Sequence, residues 1–168
     1  MNPEIVQDSQ ADTRHYRNAL GRFATGVAVV TTVVPEGGLL GVTINSFASV
    51  SLEPPLVLFS LARESRMLVP LLEQGRFGIS ILGSEQQRLS EQFAFEGHPR
   101  SYHEADIDVE SGRVPVLAGA LAVFDCRVQK DLEGGDHRLI LGEVERFKFR
   151  EGDPLLYFQG QYTWLNAR

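Results

Sequence analysis

Most apolar positions along this chain repeat with a period of two, which is the spacing of strands rather than of helices. Residues 27–34 are dense in β-branched side chains and predict a strand covered on both faces. The sequence PEGG at 35–38 turns the chain into a second run, and the two form a hairpin. From Gly41 the second run alternates, with Val42, Ile44, Ser46, Ala48, Val50 and Leu52 on one parity and Thr43, Asn45, Phe47, Ser49 and Ser51 on the other. Pro54 and Pro55 end it, and 56–61 resumes as an apolar strand. Residues 77–82, 120–130, 137–149 and 155–165 predict four further strands, with EGGD and REGDP as turns.

Helical spacing is confined to three places. Asp12 is placed to cap a short helix whose Tyr16, Ala19, Leu20 and Phe23 share a face, after which Gly26 frees the backbone to change direction. Ser65 is placed to cap a helix through Leu72 that stops at Gly75, and Pro70 requires that helix to start late or to kink. SEQQ at 84–87 has the form of a capping box and leads a helix presenting Leu89 and Phe93 together. Residues 97–119 are polar and read as a long excursion from the core. Six or more strands, few helices and hairpin-length connections predict a mainly β domain, a largely antiparallel barrel with helices packed outside it. It spans residues 13–168 behind a flexible tail at 1–12.

The length of 168 residues suits one domain with one sizeable core. A formal charge of −6 opposes a general polyanion-binding surface, so nucleic acid is not expected as a partner. A few clustered arginines can still set a local positive potential for a small anion. No apolar run is long enough to span a bilayer and the N-terminal stretch lacks the apolar segment of a secretory signal, so the reading is a soluble, cytoplasmic protein. Cys126 is the single cysteine, which excludes intrachain disulfides and CxxC centres, and its neighbours Val123, Phe124 and Val128 predict a buried thiol.

Several common chemistries are not indicated. No two glycines are separated by a single residue, so GxGxxG is absent, and so are GxxxxGK and GxSxG. His98 and His103 lie near Glu104 and Asp106, but on a loop without helical or strand register, and no metal is assigned.

The segments GVTINSF (41–47), SVSLEPPLV (49–57), FGISIL (77–82), GDHRLILGEV (135–144) and PLLYFQGQY (154–162) occur in this order with compatible spacings. Together they resemble the short-chain flavin reductase family over about residues 23–165. The resemblance implies a homodimeric split β-barrel that binds FMN or FAD and oxidises NADH or NADPH. Members supply free reduced flavin to a separate monooxygenase, and take up the nicotinamide against the flavin face, which accounts for the missing dinucleotide fingerprint.

By the same resemblance, Thr43, Ile44, Asn45 and Ser46 flank the flavin ring and its ribityl chain, Ala48 gives a close approach, and Ser49, Val50 and Ser51 extend the contact. A flavin phosphate needs cationic and N–H donors, which Arg63, Ser65 and Arg66 offer, with Arg88 as a further candidate. Glu64 departs from the family, which often has Lys or Asn with paired serines in this loop. The resemblance places Asp136 and His137, the GDH signature, beside the nicotinamide, with Tyr162 across the groove. His137 orients the nucleotide, and hydride passes between the cofactors without a protein acid or base. Two alternatives keep the scaffold: a tightly bound flavin acting on another small molecule, and a non-catalytic flavin-binding subunit.

Overall fold

The structure is a computed structural model that describes residues 13–34, 38–94, 107–108 and 113–165. The expected tail at 1–12, the capping Asp12, His98 and His103, and most of the polar excursion lie outside the described residues. The chain is mainly β, with helices α1 (Thr13–Leu20), α2 (Leu68–Gln74) and α3 (Gln87–Ala94).

Seven strands form one antiparallel sheet: β2 (Ala28–Val33), β3 (Leu39–Ile44), β4 (Ala48–Leu52), β5 (Pro55–Ala62), β6 (Arg76–Ile81), β9 (Ala122–Gly134) and β10 (His137–Phe149). Their order is β3-β2-β6-β9-β10-β5-β4. The strand β1 (Thr25–Gly26) pairs with a β11–β12 hairpin (Leu156–Phe158, Gln161–Thr163), and β7 (Ile107–Asp108) pairs with β8 (Val116–Leu117).

The two edge strands, β3 and β4, are neighbours in sequence, joined only by residues 45–47. A flat seven-stranded sheet would separate its edges by about 29 Å, at roughly 4.8 Å per strand. Four Cα steps from Ile44 to Ala48 reach at most about 15 Å. The sheet is therefore curled until its edges nearly meet, yet no ladder joins β3 to β4 among the described residues. This corrects the sequence reading of 41–52 as one continuous alternating strand. Val42 and Ile44 are buried as the alternation predicts, but β4 has no buried residue, and a register shift between Ser49 and Ser51 leaves Val50 and Leu52 exposed.

Other boundaries follow from local chemistry. β2 is buried on both faces, and the hydroxyls of Thr31 and Thr32 donate to the carbonyls of Pro115 and Arg76 at 2.5 and 2.9 Å, so neither is left unsatisfied in the core. Helix α2 starts late, at Leu68, which puts Pro70 in the first turn, where a missing N–H costs nothing. Ser65 is not its cap: its Oγ accepts from the N–H of Met67 at 3.3 Å within the preceding turn. Gly75 ends α2 at φ 65°, donating to the carbonyl of Leu71, as predicted. The box expected at Ser84 sits one residue earlier, where the Gly83 N–H donates to Gln86 Oε1 at 3.0 Å, and Leu89 and Phe93 are buried beyond it. The single strand expected at 155–165 is a hairpin, because Gln159 and Gly160 both have positive φ.

One core cluster lines the inside of the curl, where Phe59 and Phe77 pack edge-on at 5.2 Å, and α2 covers it. A second lies between the outer face, α3 and the β11–β12 hairpin, with Leu82, Phe93 and Leu155 at its centre. Cys126 is fully buried, and burial pushes its thiol up to about 12, so it is an inert core residue.

Candidate functional site

The link at 45–47 borders a roomy cavity that also holds sequence-predicted residues. Asn45, Ser46, Phe47 and Ala48 form one wall, and Phe23, Thr25, Gly26, Ala28 and Ile81 form the other, around a volume of about 590 Å³. A second recess of about 210 Å³ adjoins it through Val27 and Asn45 and is lined by Thr43, Ile44, Tyr157 and Tyr162. These sizes fall around the range of small-ligand pockets, roughly 300–1,000 Å³.

Most of the hydroxyls in this region are committed to the chain itself. Thr43 Oγ1 donates to the carbonyl of Ser90 on α3 at 2.6 Å, and Ser90 Oγ meets Tyr162 OH at 2.8 Å, which ties β3, α3 and β12 together. Ser46 Oγ accepts from the N–H of Ser60 at 3.1 Å and lies 3.4 Å from the Ser60 carbonyl. That clasp pins the link to β5 in place of the missing β3–β4 ladder. Ser51 Oγ accepts from the N–H of Glu53 at 3.2 Å, and Ser49 is exposed on β4. Asn45, by contrast, is exposed in the cavity wall. Phe47 turns its ring onto Phe124, 5.9 Å away and nearly parallel, which holds the link's apolar side in place.

The loop after β5 meets the turn of the β9–β10 hairpin. Ala62 stands opposite His137 in the ladder, and the Arg63 N–H donates to the Asp136 carbonyl at 3.0 Å. His137 Nδ1 lies 2.7 Å from Asp136 Oδ1. This hydrogen bond, with the charge of the same ring, holds the Asp136 carboxyl below the ordinary carboxylate range. The His137 side chain is 44% exposed. Gly135 at φ 70° makes the tight turn that places the pair. Ser46 is clasped to Ser60, two residues before Ala62 on β5, and β10 with His137 pairs along the opposite edge of that strand.

The structure thus brings Thr43, Ile44, Asn45, Ser46, Ala48 and Tyr162 around two adjoining recesses, and it holds Arg63, Asp136 and His137 together where the loop after β5 meets the β9–β10 turn; none of these three lines either recess. Ser65 is buried and Arg66 exposed in the turn that follows. Arg88 is not brought to the groove; it lines a separate cavity of about 320 Å³ with Glu85, Gln86, Gly119 and Arg150. Sequence reasoning missed Phe23, Thr25 and Tyr157 as groove residues. The signal available was the run of small side chains from Ala24 to Gly26, which lets a planar group approach the backbone. Thr25 Oγ1 is buried in this wall without a hydrogen-bond partner. Apolar walls, small side chains and a polar edge at Asn45 fit a flat heteroaromatic ring.

The flavin reductase like domain family matches residues 20–166. The chain belongs to that family. This flavin reductase-like chain is 43% identical over 161 residues to the FMN reductase (NADH) SmoA of Agrobacterium fabrum, covering 96% of this chain and 91% of the relative. It is 42% identical to the reductase component of 4-hydroxyphenylacetate 3-monooxygenase from Thermus thermophilus, over 89% of this chain and 95% of that one. Among solved structures it is similar to the NADH:FAD oxidoreductase SgcE6 of Streptomyces globisporus in complex with NAD and FAD fragments. The TM-score is 0.89, with 31% identity over 98% of both chains. The flavin reductase-like fold and the mainly β class read from the sequence are both correct.

Proposed function

We propose that this protein is an NADH-dependent flavin reductase that reduces FMN or FAD and supplies it to a separate monooxygenase. The observation that carries the reading is the groove at the link, roomy and apolar with Asn45 at its edge. The naming of similar proteins as NADH-dependent reductases and as monooxygenase components supports it. NADPH stands as the alternative reductant in this reading.

When bound, the flavin accepts a hydride from the nicotinamide and so supplies the redox chemistry. The chain contributes position. Backbone and side chain of Asn45, with the small Ala48, meet the ring's polar edge, while Thr43, Ser46 and Ser51 hold the surrounding backbone rigid through their own hydrogen bonds. Ile44, Ser49 and Val50 complete the strand ends on either side. Arg63, Ser65 and Arg66 offer the turn that receives a phosphate. His137, oriented by Asp136, contacts the nicotinamide through Nε2, and Tyr162 closes the far side of the groove. Reacting groups must be brought to about 3–3.5 Å, which an apolar groove achieves by fixing orientation and excluding water.

The curled open sheet is read as a split barrel, working as a homodimer in the cytoplasm, with residues 13–168 as one unit behind the segment 1–12. Exposure of Leu52 (93%), Phe149 (74%) and Phe147 (67%) supports a second copy covering apolar surface. No helix among the described residues is long and apolar enough to cross a membrane.

Initial rates of NADH and NADPH oxidation with and without added FMN, FAD or riboflavin test the function. A rate that saturates with added flavin supports it. Absence of oxidation in every combination overturns it, and turnover without added flavin, with a bound chromophore, would replace it by a prosthetic-group enzyme.

A further inference from the structure

Two aromatic side chains line the groove at the link, Phe23 and Phe47, and they are in opposite states. Phe47 lays its ring on Phe124 at 5.9 Å, so one of its faces is already covered. Phe23 is 78% exposed and takes part in no ring contact among the described residues. Single exposed apolar residues are ordinary on a protein surface. Phe23 differs from them in lining a cavity of about 590 Å³ and in having its backbone held on both sides.

On the N-terminal side the Phe23 N–H donates to the Leu20 carbonyl at 3.0 Å, and the Gln159 N–H donates to the Gly21 carbonyl at 3.0 Å. On the C-terminal side Thr25 and Gly26 pair with Tyr157 and Leu156 of β11, and the Val27 N–H donates to the Leu155 carbonyl at 3.2 Å. An exposed aromatic on a backbone fixed in this way has little freedom left to lose on meeting a ligand. The wall beside it suits close approach by a flat group. Ala24, Gly26 and Ala28 carry little or no side chain, and a Cβ added at Gly26 would meet nothing within 4 Å. The same wall holds Thr25 Oγ1, buried without a hydrogen-bond partner, whereas the hydroxyls of Thr43 and Ser46 across the groove are engaged. An uncovered ring and an unsatisfied hydroxyl two residues apart mark this wall as the side that a ligand completes.

We infer that Phe23 is the stacking residue of the groove: its ring covers one face of the flavin's heteroaromatic ring, so that this wall reads the ring and not the ribityl or phosphate tail. This rests on the reading of the groove as the flavin site. Offset or edge contact between two π-systems adds to what apolar area alone supplies. It is indifferent to the tail, so flavins with different tails gain from it alike.

The test measures binding and not turnover: quenching of flavin fluorescence on titration with the full-length protein, using FMN, riboflavin and lumiflavin, which is the ring system without the tail. In Phe23→Ala the Kd is expected to rise about tenfold for all three. Phe23→Tyr, which keeps the π face, holds the Kd near the wild-type value, and Phe23→Leu, which keeps apolar bulk without that face, shows most of the loss. The thermal midpoint without flavin stays unmoved in each, since the side chain is exposed. Should Phe23→Ala fail to fold, Phe23→Leu against Phe23→Tyr carries the test by the same criterion. An unchanged Kd in Phe23→Ala overturns the inference, as does a loss confined to FMN, or a Phe23→Leu that binds as tightly as the wild type. A change of oligomeric state in Phe23→Ala with the Kd unmoved assigns the ring to a second copy and equally overturns it. The wild type separates the two layers. Failure to bind any of the three flavins removes the reading of the groove and this inference with it, whereas wild-type binding with an unchanged Kd in Phe23→Ala removes Phe23 alone.

Discussion

The link at 45–47 and the turn at 134–137 are both short connections between strands of the same sheet, but their side chains do opposite work. At the link, Ser46 spends its hydroxyl on the Ser60 backbone, and Thr43 just before it spends its own on Ser90. At the turn, Asp136 and His137 bond to each other, and the His137 side chain stays half-exposed. The first region uses polar atoms to hold an interrupted sheet together, and the second uses them to aim one side chain at solvent. A polar residue near a groove is thus a ligand contact only after the backbone's own demands have been met.

The sharpest way to break this contrast is Ser46→Ala. It leaves the half-buried Ser60 N–H without a partner, and unfolding should become easier by about 1–3 kcal/mol, with weaker flavin binding as the link loosens. Thermal unfolding with and without FMN measures both, and an unchanged midpoint would show that the clasp is not needed. His137→Ala should do the reverse. Stability stays within about 0.5 kcal/mol, as for other exposed positions, while steady-state kinetics show NADH KM raised about tenfold and flavin KM unmoved.

Thr43→Val is a smaller test on the side of the link. Losing one hydrogen bond to the Ser90 carbonyl should cost about 1 kcal/mol in denaturant unfolding, with the effect on α3 rather than on nicotinamide binding. The smallest effect is electrostatic. Asp136 has its folded-state value lowered, mainly through the hydrogen bond from His137, so the pairing is intact at neutral pH and is lost as pH falls through that lowered value. A carboxyl-carbon NMR titration should find Asp136 below the ordinary aspartate value of about 3.9, moving back up in His137→Ala. Titration at the ordinary value in both proteins would dissolve the pair.

The sequence made some of this legible and hid the rest for identifiable reasons. β2, the β2–β3 hairpin, β10 and the Gly75 stop were readable because burial and turn chemistry there are local. The break between β3 and β4 was not, because Asn45 and Ser46 keep the alternation of a strand and only the distant Ser60 shows why the chain leaves the ladder. Likewise Ser65 has the right type and spacing for a cap, yet its hydroxyl serves the turn before α2. Arg88 was a further phosphate candidate because it is a cation on the predicted third helix, and in the structure it lines another cavity. The groove wall from Phe23 to Ala28 carried only a weak signal, since small residues read equally well as a tight bend.

Residues 45–47 also act as a ruler. They alone span the gap between the first and last strands of the sheet, so their number sets the width of the opening. One added residue would lengthen the span by up to about 3.5 Å, close to the thickness of an aromatic ring, and one removed would shut it by the same amount. Insertions and deletions at this single point could retune what slides into the gap while every ladder in the seven-stranded sheet stays in register.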